Sequence, residues 1–353
     1  MAVTLKPLSQ QTIVITGASS GIGLATAQEA GRRGANVVLA ARNEEALRQA
    51  AQDIVSAGGS ATHVAADVGK PEDVDRIAAA AQDKFGGFDT WVNDAGVDMW
   101  GRIEEIPDED SRRLFETNFW GLVYGSKVAA RHLRQRGGAL INVGSVASDR
   151  AFPLQGIYCA SKHAVKAFTD ALRMELEHDG APVSVTLIKP ASIATPLQEQ
   201  AKNFMDKEVR LPSPLYAPEE VAYAILHAAE KPERDIYVGS AGRILSAFGT
   251  QAPGLTDIAG EGLLWRSQKS ETDARPRRDN LHAAGPGGGR VHLRDPEGRS
   301  MRASYYTRAT LNPMATSALV LAAGMAVGLA AKGMMSDDAR RPLSRLANRM
   351  QRD

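Results

Sequence analysis

Residues 145–164 read SVASDRAFPLQGIYCASKHA, placing Tyr158 thirteen positions after Ser145 and Lys162 four positions beyond it. On a helix an i, i+4 pair shares one face, so the tyrosine and the lysine would stand side by side. A phenol with a reference pKa of about 10 is a poor base at neutral pH, and a neighbouring ammonium group favours its phenolate. Ser145, Tyr158 and Lys162 could therefore be brought together to move a proton. A turn leading into an ordinary helix carries the same residue types, and this spacing arises often by chance.

Elements that could hold such a set in register are legible along the first 245 residues. TIVITG (12–17), NVVLAA (36–41), ATHVAAD (61–67), TWVNDAG (90–96), GALINVGS (138–145), VSVTLIKP (183–190) and DIYVG (235–239) read as strands. Between them lie stretches of 3.6-residue periodicity, among them 21–33, 43–57 and 157–178. The alternation describes an α/β fold, a doubly wound parallel sheet with helices on both faces. No internal repeat is evident.

The first strand runs into T-G-A-S-S-G-I-G, with Gly17, Gly21 and Gly23 at the strand-to-helix turn. Glycine lets the backbone approach a pyrophosphate, and the amides at the start of the next helix favour its negative charge. Tight turns also take glycine for conformational reasons alone. The strand-turn-helix context points to nucleotide binding.

This T-G-x-x-x-G-x-G spacing resembles that of the short-chain dehydrogenase/reductase family. Asn93-Asp94-Ala95-Gly96 is similar to the family's N-N-A-G segment, Asn118 stands where its catalytic asparagine would be, and Ser145, Tyr158 and Lys162 match its S…Y-x-x-x-K. The resemblance covers roughly residues 8–245, and several separated motifs in the correct order favour the proton-transfer reading of 145–164. It implies a Rossmann-type fold, a homo-oligomer built on helices flanking the active site, and an oxidoreductase acting on a small-molecule carbonyl or alcohol. In the mechanism so implied, Tyr158 exchanges the substrate proton, while Lys162 holds the cofactor ribose and lowers the tyrosine pKa. Ser145 hydrogen-bonds the reacting oxygen, and Asn118 holds a water that links the lysine to solvent. Hydride passes directly between nicotinamide and substrate carbon, so no metal is required.

The cofactor contacts implied are Gly17, Ser19, Ser20, Gly21, Ile22 and Gly23 at the turn, with Asp67 and Val68 after the third strand. Asn93, Ala95 and Gly96 follow the fourth, Tyr158 and Lys162 lie on the catalytic helix, and Pro190, Ile193 and Thr195 follow the sixth. Two residues depart from the family pattern: Asp94 replaces an asparagine, and Ala191 replaces the glycine of P-G-x-x-x-T. At the end of the second strand an acidic side chain would bind the adenosine ribose hydroxyls and repel a 2′-phosphate. Here Ala41 occupies that place and Arg42 follows, which favours NADP(H), with NAD(H) as the alternative if Arg42 merely begins a solvated turn. Candidate pocket segments 97–101, 149–157 and 194–216 supply Met99, Trp100, Phe152, Leu154, Phe204 and Met205. They suit a fairly apolar substrate, and ordinary loop packing equally.

The 353-residue chain is long enough for one large α/β domain with an appendage. Its single cysteine, Cys159, excludes an internal disulfide and a thiolate metal cluster, which suits a reducing compartment. No secretory signal is visible at the N-terminus, so the catalytic part is expected in the cytoplasm. Charge is uneven: residues 1–265 carry a net −7 and residues 266–353 a net +8. The organisation expected is a dinucleotide-binding catalytic domain over 1–250, a Gly/Pro/Arg-rich linker over 251–308, an apolar helix over 309–331 and a basic tail over 332–353.

The 309–331 stretch is long enough to cross a bilayer, which takes about 20 apolar residues, but its Ala/Gly composition is weakly hydrophobic. Basic residues flank it, so contact with an anionic membrane surface and a soluble buried helix both fit. No nucleic-acid motif accompanies the basic tail. A nucleotide sensor on the same fold, or a membrane-tethered scaffold, are the competing functions. The complete set Asn118, Ser145, Tyr158 and Lys162 argues for an enzyme over either.

Overall fold

The structure, a computed structural model, describes residues 3–285, 288–294, 300–318 and 321. Seven strands form its main sheet: β1 (Thr12–Thr16), β2 (Asn36–Ala41), β3 (Ser60–Ala65), β4 (Thr90–Asn93), β5 (Gly138–Val143), β6 (Val183–Pro190) and β7 (Asp235–Val238). Their order is β7-β6-β5-β4-β1-β2-β3, and every pairing is parallel. This is the Rossmann-type arrangement expected from the alternating pattern.

Successive strand residues point to opposite faces. Val14, Val38 and Leu140 belong to a core with Ile77, Leu133 and Leu176 from helices α3 (Pro71–Phe85), α5 (Gly121–Arg136) and α6 (Gly156–His178). Their neighbours Ile13, Ile15, Val37 and Leu39 are also fully buried, on the other face, where α1 (Gly21–Arg32) packs with α2 (Glu44–Ser56) and α7 (Pro218–Glu230). Burial on both faces explains why β1 and β5 read as largely apolar runs rather than alternating ones, with Asn142 the buried polar exception in β5. Each such Val, Leu or Ile contributes roughly 1.5–3 kcal/mol.

Strand β1 lies between β2 and β4, so the chain winds outward in both directions from it. The crevice at that reversal, beyond the carboxyl ends of the strands, is where open α/β sheets bind ligands. The glycine turn stands there. Helix α4 (Asp108–Phe115) joins α5 through a π-helical turn, Glu116–Trp120, which contains Thr117 and Asn118. Such one-turn bulges re-aim side chains out of the helical register.

Residues 1–307 form one compact unit and 308–353 a second. The polar stretch after residue 250 thus packs with the head. Its composition reads as a linker because it has little apolar periodicity of its own; its order comes from docking. Lys269–Asp273 pairs antiparallel with Lys207–Val209, Ser300–Met301 pairs with Leu215–Tyr216, and Leu281 is completely buried. Residues 309–318 and 321 of the apolar stretch are described and are helical apart from Asn312, whereas 322–331 and the basic tail lie outside the described residues. Among the described residues no helix is long and apolar enough to cross a membrane.

Candidate active site

The turn after β1 is built so that backbone approaches backbone. Gly17 has φ 76°, and a Cβ there would lie 2.9 Å from the Ala95 Cα. At Gly23 a Cβ would come within 2.6 Å of the Gly17 carbonyl oxygen and 2.9 Å of the Asp94 carboxylate, so no side chain fits. The Thr16 hydroxyl accepts the Asp94 and Ala95 N–H groups at 3.1 and 3.2 Å, tying the end of β4 to the turn.

A cleft of about 910 Å³ runs along this junction. Gly17, Ser19, Ser20, Gly21 and Ile22 line it on one side, Ala95 and Gly96 at its floor, and Thr195 at one end. Arg42, Asp67 and Val68 line it at the ends of β2 and β3. Gly23 and Asn93 do not reach it. Gly23 underpins the turn, while the Asn93 amide is committed to the core, accepting from the Trp91 indole at 2.8 Å and donating to Asn142 Oδ1 at 2.9 Å.

A second cavity of about 1300 Å³ adjoins the first, sharing Ile22 and Thr195, and Pro190 and Ile193 line it. Ser145, Tyr158 and Lys162 meet in its wall. Ser145 caps the short turn Val146–Ser148, its Oγ accepting the Ala147 N–H at 3.1 Å, and its hydroxyl also hydrogen-bonds Tyr158. Lys162 Nζ donates to the Val143 carbonyl at 3.0 Å and stands 5.8 Å from the Tyr158 ring centre. Asn118 clasps the backbone of Val97, with Oδ1 accepting its N–H at 2.8 Å and Nδ2 donating to its carbonyl at 2.9 Å. Gly96 separates Asn118 from Lys162; a Cβ there would lie 3.6 Å from Asn118 Oδ1 and 4.0 Å from Lys162 Nζ.

Two carboxyl groups complete the surroundings. Asp94, placed where the family pattern has asparagine, accepts the Gly23 N–H, and burial pushes its pKa up to about 8 against that bond and the nearby Lys162. Asp98 is pushed up to about 7 by burial, although the Met99 N–H and the Gln155 amide both donate to it at 2.8 Å. Burial lowers Lys162 to about 8, opposed by these two carboxylates. The Tyr158 phenol is raised, first by burial and then by Asp98, with the Ser145 hydrogen bond acting in the opposite direction.

Asp98 and Gln155 were not singled out by sequence reasoning. The available signal was one acid within the apolar run VDMW, and only the packing of Gln155 against it makes it part of the site. Among the apolar pocket candidates, Trp100 and Phe152 line the second cavity. Met99 and Phe204 pack instead into one side cluster, and Leu154 and Met205 into another.

The extension supplies further walls. Leu264 and Gln268 line the second cavity, and Asn280, Ala284, Gly285 and Gly288 line the cleft. Arg42 donates to the Leu281 carbonyl at 3.1 Å and to the Asn280 carbonyl at 2.5 Å, and burial lowers its pKa. Asp67 accepts a 2.6 Å hydrogen bond from Arg113, which also donates to the Leu281 carbonyl.

These residues fit a nicotinamide dinucleotide. The turn leaves no space for a Cβ between its backbone and its neighbours, the cleft leads from Arg42 to the cavity that holds Tyr158, and two buried polar atoms in its lining, Thr117 Oγ1 and Asn280 Oδ1, have no protein partner. Fold and site together define an oxidoreductase that works with such a cofactor on hydroxyl or carbonyl groups. Residues 11–206 match the short chain dehydrogenase family, and the chain belongs to it.

The chain is 48% identical over 333 residues to an uncharacterized oxidoreductase, YxnA, of Bacillus subtilis, covering 93% of this chain and 92% of that protein. That span is too long to be confined to the head. It is 34% identical to 11-beta-hydroxysteroid dehydrogenase A of Sesamum indicum, over 64% of this chain and 67% of that one. A solved short chain dehydrogenase/reductase from Burkholderia phymatum in complex with NAD superposes with a TM-score of 0.65 at 26% identity, covering 71% of this chain and 97% of that chain.

Proposed function

We propose that this chain is an NADP(H)-preferring oxidoreductase acting on a fairly apolar alcohol or ketone, with Tyr158 as general acid/base. The observation that carries this reading is the meeting of Ser145, Tyr158 and Lys162 in the wall of a largely apolar cavity next to the glycine-turn cleft. The cofactor, when bound, supplies or takes the hydride. Ser145 positions the substrate oxygen beside the Tyr158 hydroxyl. Tyr158 gives that oxygen a proton in reduction and takes it in oxidation, and the Lys162 ammonium favours the phenolate when the proton leaves. Asn118 holds the Val97 backbone at the floor of the site, and the family resemblance adds a role for it in proton relay.

Trp100, Phe152, Val146, Leu211 and Leu245 favour an extended apolar substrate, a preference supported by the name of the Sesamum relative. Arg42, with no acid at Ala41, supports NADP(H). The NAD(H) reading draws on one specific observation: the Arg42 guanidinium is already engaged by two carbonyl oxygens. Assembly as a homo-oligomer belongs to the same family-based reading, and a monomeric mass in light scattering would remove it. The decisive assay is the purified full chain screened against apolar ketones and alcohols with both nicotinamide cofactors, followed by absorbance of the reduced form. No turnover with any of them, despite cofactor binding, would leave the sensor reading in its place.

Asp98 makes the pH dependence diagnostic. Above about pH 7 its carboxylate is ionised and opposes the Tyr158 phenolate, whereas below that pH it is neutral and has little effect. Asp98→Asn is therefore expected to lower the tyrosine pKa, moving the alkaline limb of kcat/KM for carbonyl reduction, where Tyr158 must carry its proton, to lower pH by about one unit. The acidic side of the profile should stay in place. An alkaline limb that does not move, in a variant of normal activity at its optimum, would show that Asp98 is not coupled to proton transfer.

A further inference from the structure

The chain beyond β7 crosses the dinucleotide cleft and is held on both sides of it. Leu281 anchors the crossing, buried among Val97, Met99, Ile106 and Leu114. The Asn280 N–H donates to the Gln200 carbonyl at 2.9 Å, and the carbonyls of Asn280 and Leu281 take the two Arg42 bonds. Farther along, the Gly289 N–H donates to the Ser19 carbonyl at 2.8 Å and the Gly21 N–H donates to the Arg290 carbonyl at 2.9 Å. The extension is thereby bonded to the glycine turn itself.

Within this crossing Asn280 stands out. It is 7% exposed and lines the cleft, yet its Oδ1 is buried with no hydrogen-bond partner. Buried polar atoms are overwhelmingly paired, so such an acceptor calls for a donor. The Thr117 hydroxyl, 5% exposed in the lining of the same cleft, is also unpartnered. The Arg42 bond to its own carbonyl puts Asn280 beside the end of β2, the position from which this fold reads the adenosine ribose. Phosphate oxygens at neutral pH are mainly acceptors and cannot satisfy Oδ1. The adenosine half offers donors, its ribose hydroxyls and the exocyclic amine of adenine.

We propose that Asn280 is a cofactor-binding residue, its side-chain oxygen accepting a hydrogen bond from the adenosine half of the dinucleotide, and that the extension is a working wall of the cofactor site. This rests on the dinucleotide reading of the cleft but holds for NADP(H) and NAD(H) alike.

The test compares the full chain with its Asn280→Ala variant. Dissociation constants for NADPH, NADH and nicotinamide mononucleotide, which lacks the adenosine half, are measured by calorimetry, and melting temperature without ligand is measured alongside. The dissociation constant of whichever dinucleotide the unaltered chain binds should rise about tenfold. Mononucleotide binding and melting temperature should not change, since Oδ1 makes no bond within the protein. Equal dinucleotide affinity in variant and unaltered chain would overturn the proposal, and so would a parallel loss for the mononucleotide or a large drop in melting temperature, which would mark a structural role. If the unaltered chain bound neither dinucleotide, the functional reading would fail and this proposal with it.

Discussion

Tyr158→Phe is expected to lower kcat by about a thousandfold while leaving the cofactor dissociation constant within about twofold. Loss of a positioned general acid/base typically removes a factor of 10² to 10⁴. The substitution deletes only the hydroxyl, while the ring keeps its packing against the cluster around Val97 and Met99. Lys162 keeps its bond to the Val143 carbonyl, so its placement does not depend on the phenol. Burial and Asp98 hold the phenol protonated through neutral pH, so the unaltered enzyme enters reduction with its proton donor loaded. Carbonyl reduction at pH 7 and alcohol oxidation at pH 9 should both collapse, whereas titration of cofactor fluorescence should not change. Activity above about a tenth of the original would remove Tyr158 from its proposed role.

Arg42→Asp should reverse the order of cofactor use, lowering kcat/KM with NADP(H) on the order of a hundredfold relative to NAD(H). The exchange replaces attraction for a 2′-phosphate with repulsion, at a position where Asp67 is already negative. Arg42 also ties down the Asn280 and Leu281 carbonyls, so its loss loosens the extension whichever cofactor binds. That second effect falls on both cofactors and cancels in the ratio of their efficiencies. The ratio therefore isolates the phosphate contact, and the absolute values report the loosened wall. An unchanged ratio would show that Arg42 does not set the cofactor preference.

The sheet was legible because its central strands are buried on both faces and appear as largely apolar runs of strand length, while the edge strands Ser60–Ala65 and Asp235–Val238 are only partly buried. Strand ends were less so. The run 90–96 reads as one strand, but pairing stops at Asn93 because the Thr16 hydroxyl takes the next two amides and turns the chain toward the glycine loop. The π-helical turn at Asn118 carries no sequence mark, since one extra residue in a helix changes neither composition nor capping. Ser145, Tyr158 and Lys162 could be picked out by order and spacing, whereas Asp98 could not, because its burial depends on Gln155 packing against it from another segment. The stretch after 250 was read by composition, which reports whether a segment can fold by itself. It cannot report backbone bonds to the rest of the fold, and those hold Asn280, Gly289, Arg290 and Leu293.

The bond between the Gly21 N–H and the Arg290 carbonyl also bears on where the chain can be cut. Drawn by analogy with shorter relatives, an expression boundary would fall just after β7. A protein ending there would lack Leu264 and Gln268 from one cavity and Asn280, Gly285 and Gly288 from the other, and would present Val97, Met99 and Leu114 to water where Leu281 covers them. The last wall residue is Gly288 and the compact unit runs to Thr307, so trimming to the motif-bearing head would yield a different binding site rather than a smaller version of the same one.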